Sequence, residues 1–183
     1  MSGFISLDNA KFQLRLEADD TSQDVYLADL IATAGKRIEK KTGFVCPQRI
    51  DEAFVFDGFE KELRLPLRPV DPDSIAIAYI DSSGETSSFA DFRVFVRNGY
   101  TRIAPAFGKC WPATWCAPAV VTVTADVGFV DEDDAAIPDD LKHAARLMLG
   151  SWYENREEAV FGSARSLPDG AAALLEDERS RRV

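Results

Sequence analysis

The chain has 183 residues, 46% of them apolar and 10% aromatic, with 31 acidic side chains against 21 Lys and Arg for a formal charge of −10. That composition excludes global disorder, and the length suits one domain, or a domain with one insertion, burying roughly 70% of its unfolded surface. The charge weighs against a nucleic-acid binder that works by phosphate neutralisation, and any His-based zinc site or Ser-His or Cys-His couple must run through the single histidine, His143.

Met1 to Leu16 holds no basic region followed by an apolar run, so no secretory signal is expected. No stretch approaches the about 20 apolar residues of a membrane span, and the expectation is a soluble protein made in a cytoplasm. Asp20-Thr21-Ser22 followed by Asp24 predicts a helix start with Thr21 as N-cap. Leu27, Leu30, Ile31, Ala34 and Ile38 then form one apolar stripe. Lys36, Arg37, Lys40 and Lys41 suit the negative end of the helix dipole, and Gly43 closes the helix.

From about residue 51 the period falls to two. Phe54-Val55-Phe56 and Leu63-Arg64-Leu65 read as short strands around a turn at Asp57-Gly58. Ile75, Ile77 and Tyr79 alternate with Ala76 and Ala78 before a loop at Asp81-Ser82-Ser83-Gly84, and Phe92, Val94 and Val96 resume the alternation. Asn98-Gly99 predicts a hairpin, because both residues tolerate the positive φ of a type I′ turn. In the last strand Val121, Val123, Ala125 and Val127 share one face, with Thr122, Thr124 and Asp126 on the other. Pro105 to Pro118 carries too much Pro and Trp for a central strand.

A charged linker, Asp131-Glu132-Asp133-Asp134, leads to Ile137-Pro138-Asp139-Asp140, where proline at the first helical position and acids in the first turn predict a second helix start. Leu141, Ala145, Met148 and Trp152 form its stripe. A short helix from Pro168 carries Leu174 and Leu175, and Glu176 to Val183 is expected to be frayed or extended. The fold class is therefore α+β: a small helical core, residues 1–50 and 132–183, with an antiparallel β insertion at 51–131. Charge is neutral over 1–50 and −5 over each of 51–131 and 132–183.

Candidate chemistry is sparse. His143 lies roughly 200° round the helix from Leu141 and should face solvent. The acids at 131–134, 139 and 140 lack the spacing and glycine of an EF-hand loop, and read as a solvated linker with helix-dipole acids. Gly108-Lys109 has no P-loop glycine before it, and no G-x-S-x-G occurs. Cys46, Cys110 and Cys116 include no Cys-x-x-Cys, so reduced, mostly buried thiols are expected. No catalytic residue, metal site or cofactor site is assigned. Trp111 and Trp115 are either a lid over the β core, a protein-contact surface or a sugar platform. Arg179, Arg181 and Arg182 form a small basic end, either a solvated terminus or a docking tail for an acidic partner. Two other classes stay open, a metal-dependent hydrolase using acidic residues and an acidic DNA-mimic that binds a basic protein.

Several motifs, in order along the chain, resemble the head–tail connector (adaptor) proteins of long-tailed bacteriophages, prophages and gene transfer agents. They are Leu14-Arg15 with Asp19-Asp20; Ile38-Glu39-x-x-Thr42-Gly43; Leu65-Pro66-x-x-Pro69-Val70; Tyr79-Ile80-Asp81 with Gly84; Trp111-Pro112; and Val121-Thr122-Val123-Thr124 with Gly128-Phe129. Ile137-Pro138-x-x-Leu141-Lys142-x-Ala144, Trp152-Tyr153-Glu154-Asn155-Arg156-Glu157 and Leu167-Pro168 with Leu174-Leu175 complete the match. The resemblance implies a structural virion subunit, not an enzyme, assembled as a ring of about a dozen copies in the neck of a phage-like particle. Its partners would be itself, the portal and a tail or stopper protein, with DNA passing through unbound and no membrane involved. Trp152 and Tyr153 are expected in the helical core; Arg156 is expected to pair with Glu157 or a neighbouring subunit.

Overall fold

The helical periodicities at the two ends of the chain and the two-residue alternation between them become helices and strands in that order. In the computed structural model the described residues are 3–131, 136–155 and 168–180. They contain helices α1 (Leu7–Leu14), α2 (Asp24–Thr42), α3 (Asp139–Glu154) and α4 (Asp169–Ser180). Between α2 and α3 lie strands β1 (Arg49–Phe56), β2 (Leu63–Arg64), β3 (Ala76–Ile80), β4 (Thr86–Ser88), β5 (Phe92–Arg97), β6 (Tyr100–Pro105) and β7 (Val121–Val127). This is the α+β arrangement expected. The chain divides into two units, one of Met1–Pro47 with Phe129–Val183 and one of Gln48–Gly128.

In the helical unit α2 packs on α3 and α4. Ile31, Ala34 and Ile38 from α2 meet Leu141, Ala145, Met148 and Leu149 from α3 and Leu175 from α4, all buried. Each large aliphatic side chain so buried stabilises by roughly 1.5–3 kcal/mol. Phe4, Phe44 and Phe129 close one end, with the Phe44 and Phe129 rings stacked at 5.6 Å. Gly43 ends α2 at φ 79°, a conformation that favours glycine, and its N–H reaches the Glu39 carbonyl at 2.7 Å.

Each of the four helices differs from the sequence reading. Helix α1 was not anticipated: it is one short element, capped by Ser6 Oγ, which accepts the Asn9 N–H at 3.1 Å. Helix α2 begins at Asp24, with Gln23 and not Thr21 at its cap. Thr21 sits inside a turn, its carbonyl accepting the Asp24 N–H, while the Asp20 carboxylate takes the Ser22 N–H at 2.9 Å. The Asp24 carboxylate is committed to Lys11, whose buried ammonium lies 2.7 Å away and also donates to the Ala18 carbonyl. That ion pair ties α1 to the positive end of α2. In α3, Pro138 occupies the cap, its extended ψ of 132° leaving its carbonyl free to accept from Leu141 and Lys142. At the C-terminus, residues expected to fray are helical through Ser180, with Glu178 buried.

The β unit has two antiparallel sheets, ordered β1-β7-β3-β4 and β2-β6-β5. The segments on either side of Asp57-Gly58 do not pair with each other. β1 joins β7 in the first sheet and β2 joins β6 in the second. The shared core is built by the face of β7 that holds Val121, Val123, Ala125 and Val127, with Phe54, Ile77, Leu63, Leu65 and Ile103. Asn98 and Gly99, at φ 53° and 69°, form the expected hairpin between β5 and β6.

A bulge interrupts β1 between Arg49 and Glu52, where Asp51 takes φ 52°. Asp126 holds it. Its Oδ1 accepts the Asp51 N–H at 2.9 Å, its carbonyl accepts the Asp71 N–H, and its own N–H donates to Ser74 Oγ at 2.8 Å.

Candidate interaction surfaces

The connection from β6 to β7 separates its two tryptophans. Trp111 covers the core: its ring stacks on Phe59 at 4.4 Å and an interplanar angle of 8°, with Phe89 at 5.1 Å. Its indole N–H is buried without an acceptor among the described residues. Trp115 is 48% exposed and stands outside that cluster. The lid reading therefore fits Trp111 and does not fit Trp115.

The Asp81 turn fixes Trp115. Asp81 Oδ1 accepts the N–H groups of Ser83 and Glu85 and the Ser83 hydroxyl at 2.6 Å; Oδ2 accepts from Ser87. These bonds, the Ser83 hydroxyl foremost, hold the Asp81 carboxyl below the usual carboxylate range. Thr114 bridges to Asp81, and the Trp115 N–H donates to the Ile80 carbonyl at 3.0 Å. Gly84, at φ 87°, passes beneath the indole, where an added Cβ would lie 3.6 Å from the ring. On the other side Asp57 accepts the N–H of Ala119, itself at φ 59°. An open cavity of about 520 Å³ runs along Asp57, Trp115, Cys116 and Pro118. The thiols of Cys110 and Cys116 are exposed, against the expectation of buried cysteines, because this connection runs over the surface. Cys46 alone is partly buried, its Sγ 3.0 Å from the Gly3 carbonyl.

Trp152 packs against the helical core. Tyr153 donates to Gln23 Oε1 at 2.9 Å, its ring 6.3 Å from Tyr26. Arg156, Arg181 and Arg182 lie outside the described residues, and Arg179 falls on the last turn of α4. His143 is exposed on α3, as its position round the helix requires. No group of three or more His, Cys, Asp or Glu side chains able to hold a metal ion occurs among the described residues.

One surface was missed in the sequence. All seven basic residues between 51 and 131 lie on the second sheet or in the segments entering and leaving it: Lys61, Arg64, Arg68, Arg93, Arg97, Arg102 and Lys109. Val94, Ile103 and Leu63 turn inward, in register. Strand alternation therefore puts Arg64, Arg93, Phe95, Arg97, Tyr100 and Arg102 on the outer face. The Arg64 guanidinium lies over the Tyr100 ring at 3.8 Å and that of Arg93 over Phe95 at 5.4 Å. Arg97 and Arg102 both donate to Glu62 Oε1. The signal was the period-two run Arg93-Val94-Phe95-Val96-Arg97, but only strand register adds Arg64 and Arg102 to it.

The fold defines a class: a small α+β module with helices at both ends of the chain and two antiparallel sheets between them. Three similar solved chains come from gene transfer agent particles. A chain in the neck of an empty gene transfer agent particle, computed with C6 symmetry, is 25% identical with a TM-score of 0.70, covering 98% of this chain and 91% of that one. A chain from the virion of a native gene transfer agent particle is 23% identical with a TM-score of 0.69, over 98% and 91% of the two chains. A third, from the neck of a native particle computed with C12 symmetry, is 23% identical with a TM-score of 0.63, over 100% and 93%. No protein-family model and no curated protein matches the chain. The resemblance to head–tail connectors read from the sequence motifs is thus matched by the structural neighbours, which are components of particle necks. No helix among the described residues is long and apolar enough to cross a membrane.

Proposed function

We propose that this chain is a structural head–tail connector subunit, one copy of an oligomeric ring in the neck of a phage-like particle. The observation that carries the reading is the likeness to a neck chain over nearly the whole length of both proteins. In this reading residues 1–50 and 132–183 are the connector core and 51–131 its inserted β subdomain. The ring, of about a dozen copies, joins the portal to the tail or a stopper protein. It is made in the bacterial cytoplasm and works within the particle. The net charge of −10 suits a conduit wall, since a wall that bound phosphate would retard the DNA moving through it. No chemistry is asked of the chain; Trp115, Arg156 and the arginines near the C-terminus are its proposed contact residues. Mixing the purified chain with its portal and imaging the product by electron microscopy tests the proposal. Rings seated on the portal are expected; portals that stay bare at saturating chain would overturn it.

A further inference from the structure

We infer that the outer face of the second sheet is one half of the contact between neighbouring copies of this chain. The inference rests on the connector reading and names the surface that reading leaves open.

A closed ring of more than two copies needs two different surfaces on each copy, because its contacts are head-to-tail. The β unit carries such a pair. The second sheet presents Arg64, Arg93, Arg97 and Arg102 interleaved with Phe95 and Tyr100; Glu62 pairs with Arg97 and Arg102, and Asp91, just ahead of β5, pairs with Lys109. Arginine and tyrosine are the side chains most often found at the energetic centres of protein contacts. Guanidinium forks stacked on aromatic rings are held ready for carboxylates with little further ordering cost. Glu62, taking bonds from both Arg97 and Arg102, shows within one copy the pairing this face makes.

The first sheet is the complement. Its strands, the β3–β4 turn and the segment entering β3 hold Asp51, Glu52, Asp71, Asp73, Asp81, Glu85 and Asp126 against two basic residues, Arg49 and the buried Arg68. Asp51, Asp71 and Asp73 are exposed at the end pinned by Asp126. A second copy of a chain with ten excess negative charges is therefore the occupant that the arginine face fits. Duplex DNA is the alternative occupant, disfavoured because the same net charge repels it.

Sedimentation of the full-length chain over a concentration series, at low and high salt, tests the contact. The wild type is expected to self-associate at low salt and dissociate at high salt. Arg93→Glu with Arg97→Glu is expected to weaken association about a hundred-fold, and Asp73→Arg to weaken it by a comparable factor. All three side chains are exposed, so unchanged thermal melting is the folding control. A wild type that stays monomeric at millimolar concentration, or either variant associating as the wild type does, overturns the inference. So does fluorescence anisotropy showing that the wild type binds duplex DNA and the arginine variant does not. The same proteins on portal separate this from the broader reading. Wild-type rings with equally good variant rings refute the contact alone, whereas no wild-type ring refutes the connector.

Discussion

The two sheets of the β unit use charge in opposite ways. On the first, carboxylates are turned to the backbone: Asp126 fastens the β1 bulge, Asp81 closes the turn after β3, and Asp57 holds the irregular approach to β7. On the second, Arg64 and Arg93 lie over aromatic rings, and Arg97 and Arg102 are tied to each other through a single glutamate. Charge in the first sheet builds the fold; charge in the second dresses a surface. A net charge of −10 therefore describes neither sheet. A chain acidic in sum presents a cationic face because the register of β2, β6 and β5 gathers arginines scattered over almost 40 positions of the sequence.

Substitutions can break this contrast. The largest loss of stability is expected from Trp111→Ala, about 3 kcal/mol, since the indole stacked on Phe59 bridges the sheets' shared core. Trp115→Ala should cost under about 1 kcal/mol, because half of that ring is already in water. Denaturant unfolding of the pair reads the contrast. Asp126→Ala comes next, at about 1.5 kcal/mol, because the Asp51 N–H of the bulge loses its carboxylate acceptor while the bonds made by the Asp126 backbone to Asp71 and Ser74 remain. Arg93→Ala and Arg97→Ala should change stability by less than about 0.5 kcal/mol each. If they destabilise as Asp126→Ala does, the second sheet's charges also build the fold and the contrast fails.

The smallest effect is a pH dependence at the Asp81 turn. Its carboxyl is held below the ordinary range in the folded chain, so the folded state binds this proton less readily than the unfolded state. The stabilisation is fully present above the ordinary carboxylate value of about 4 and is lost as pH falls through the lower folded value. Comparing acid unfolding of the wild type and Asp81→Asn should show a slightly shallower acid limb in the variant; identical limbs would remove Asp81 from the turn's support.

Elements dominated by one local pattern were legible in the sequence. The stripe of α2, the alternation of β7 and the Asn98-Gly99 hairpin each arise from a run of neighbours, and each is found where the pattern puts it. What depended on distant partners was not legible. Helix α1 has only eight residues and is held by the Lys11–Asp24 pair, and Thr21 lost its cap to the same arrangement. The pairing of β1 with β7 and of β2 with β6 overrode the nearer hairpin. Among the candidate site residues, the tryptophans were found but their separate roles were not. One ring's stacking on Phe59 and the other's seat on the Asp81 turn are tertiary facts. The arginine face was half visible in Arg93 and Arg97 and completed only by register.

As proposed, this chain joins two parts of a particle. Deleting it from cells that produce the particle, and counting particles by electron microscopy, tests that role. Separate heads and tails are expected, and restored expression of the chain should rejoin them. Particles that keep their tails at wild-type frequency without it would rule the role out.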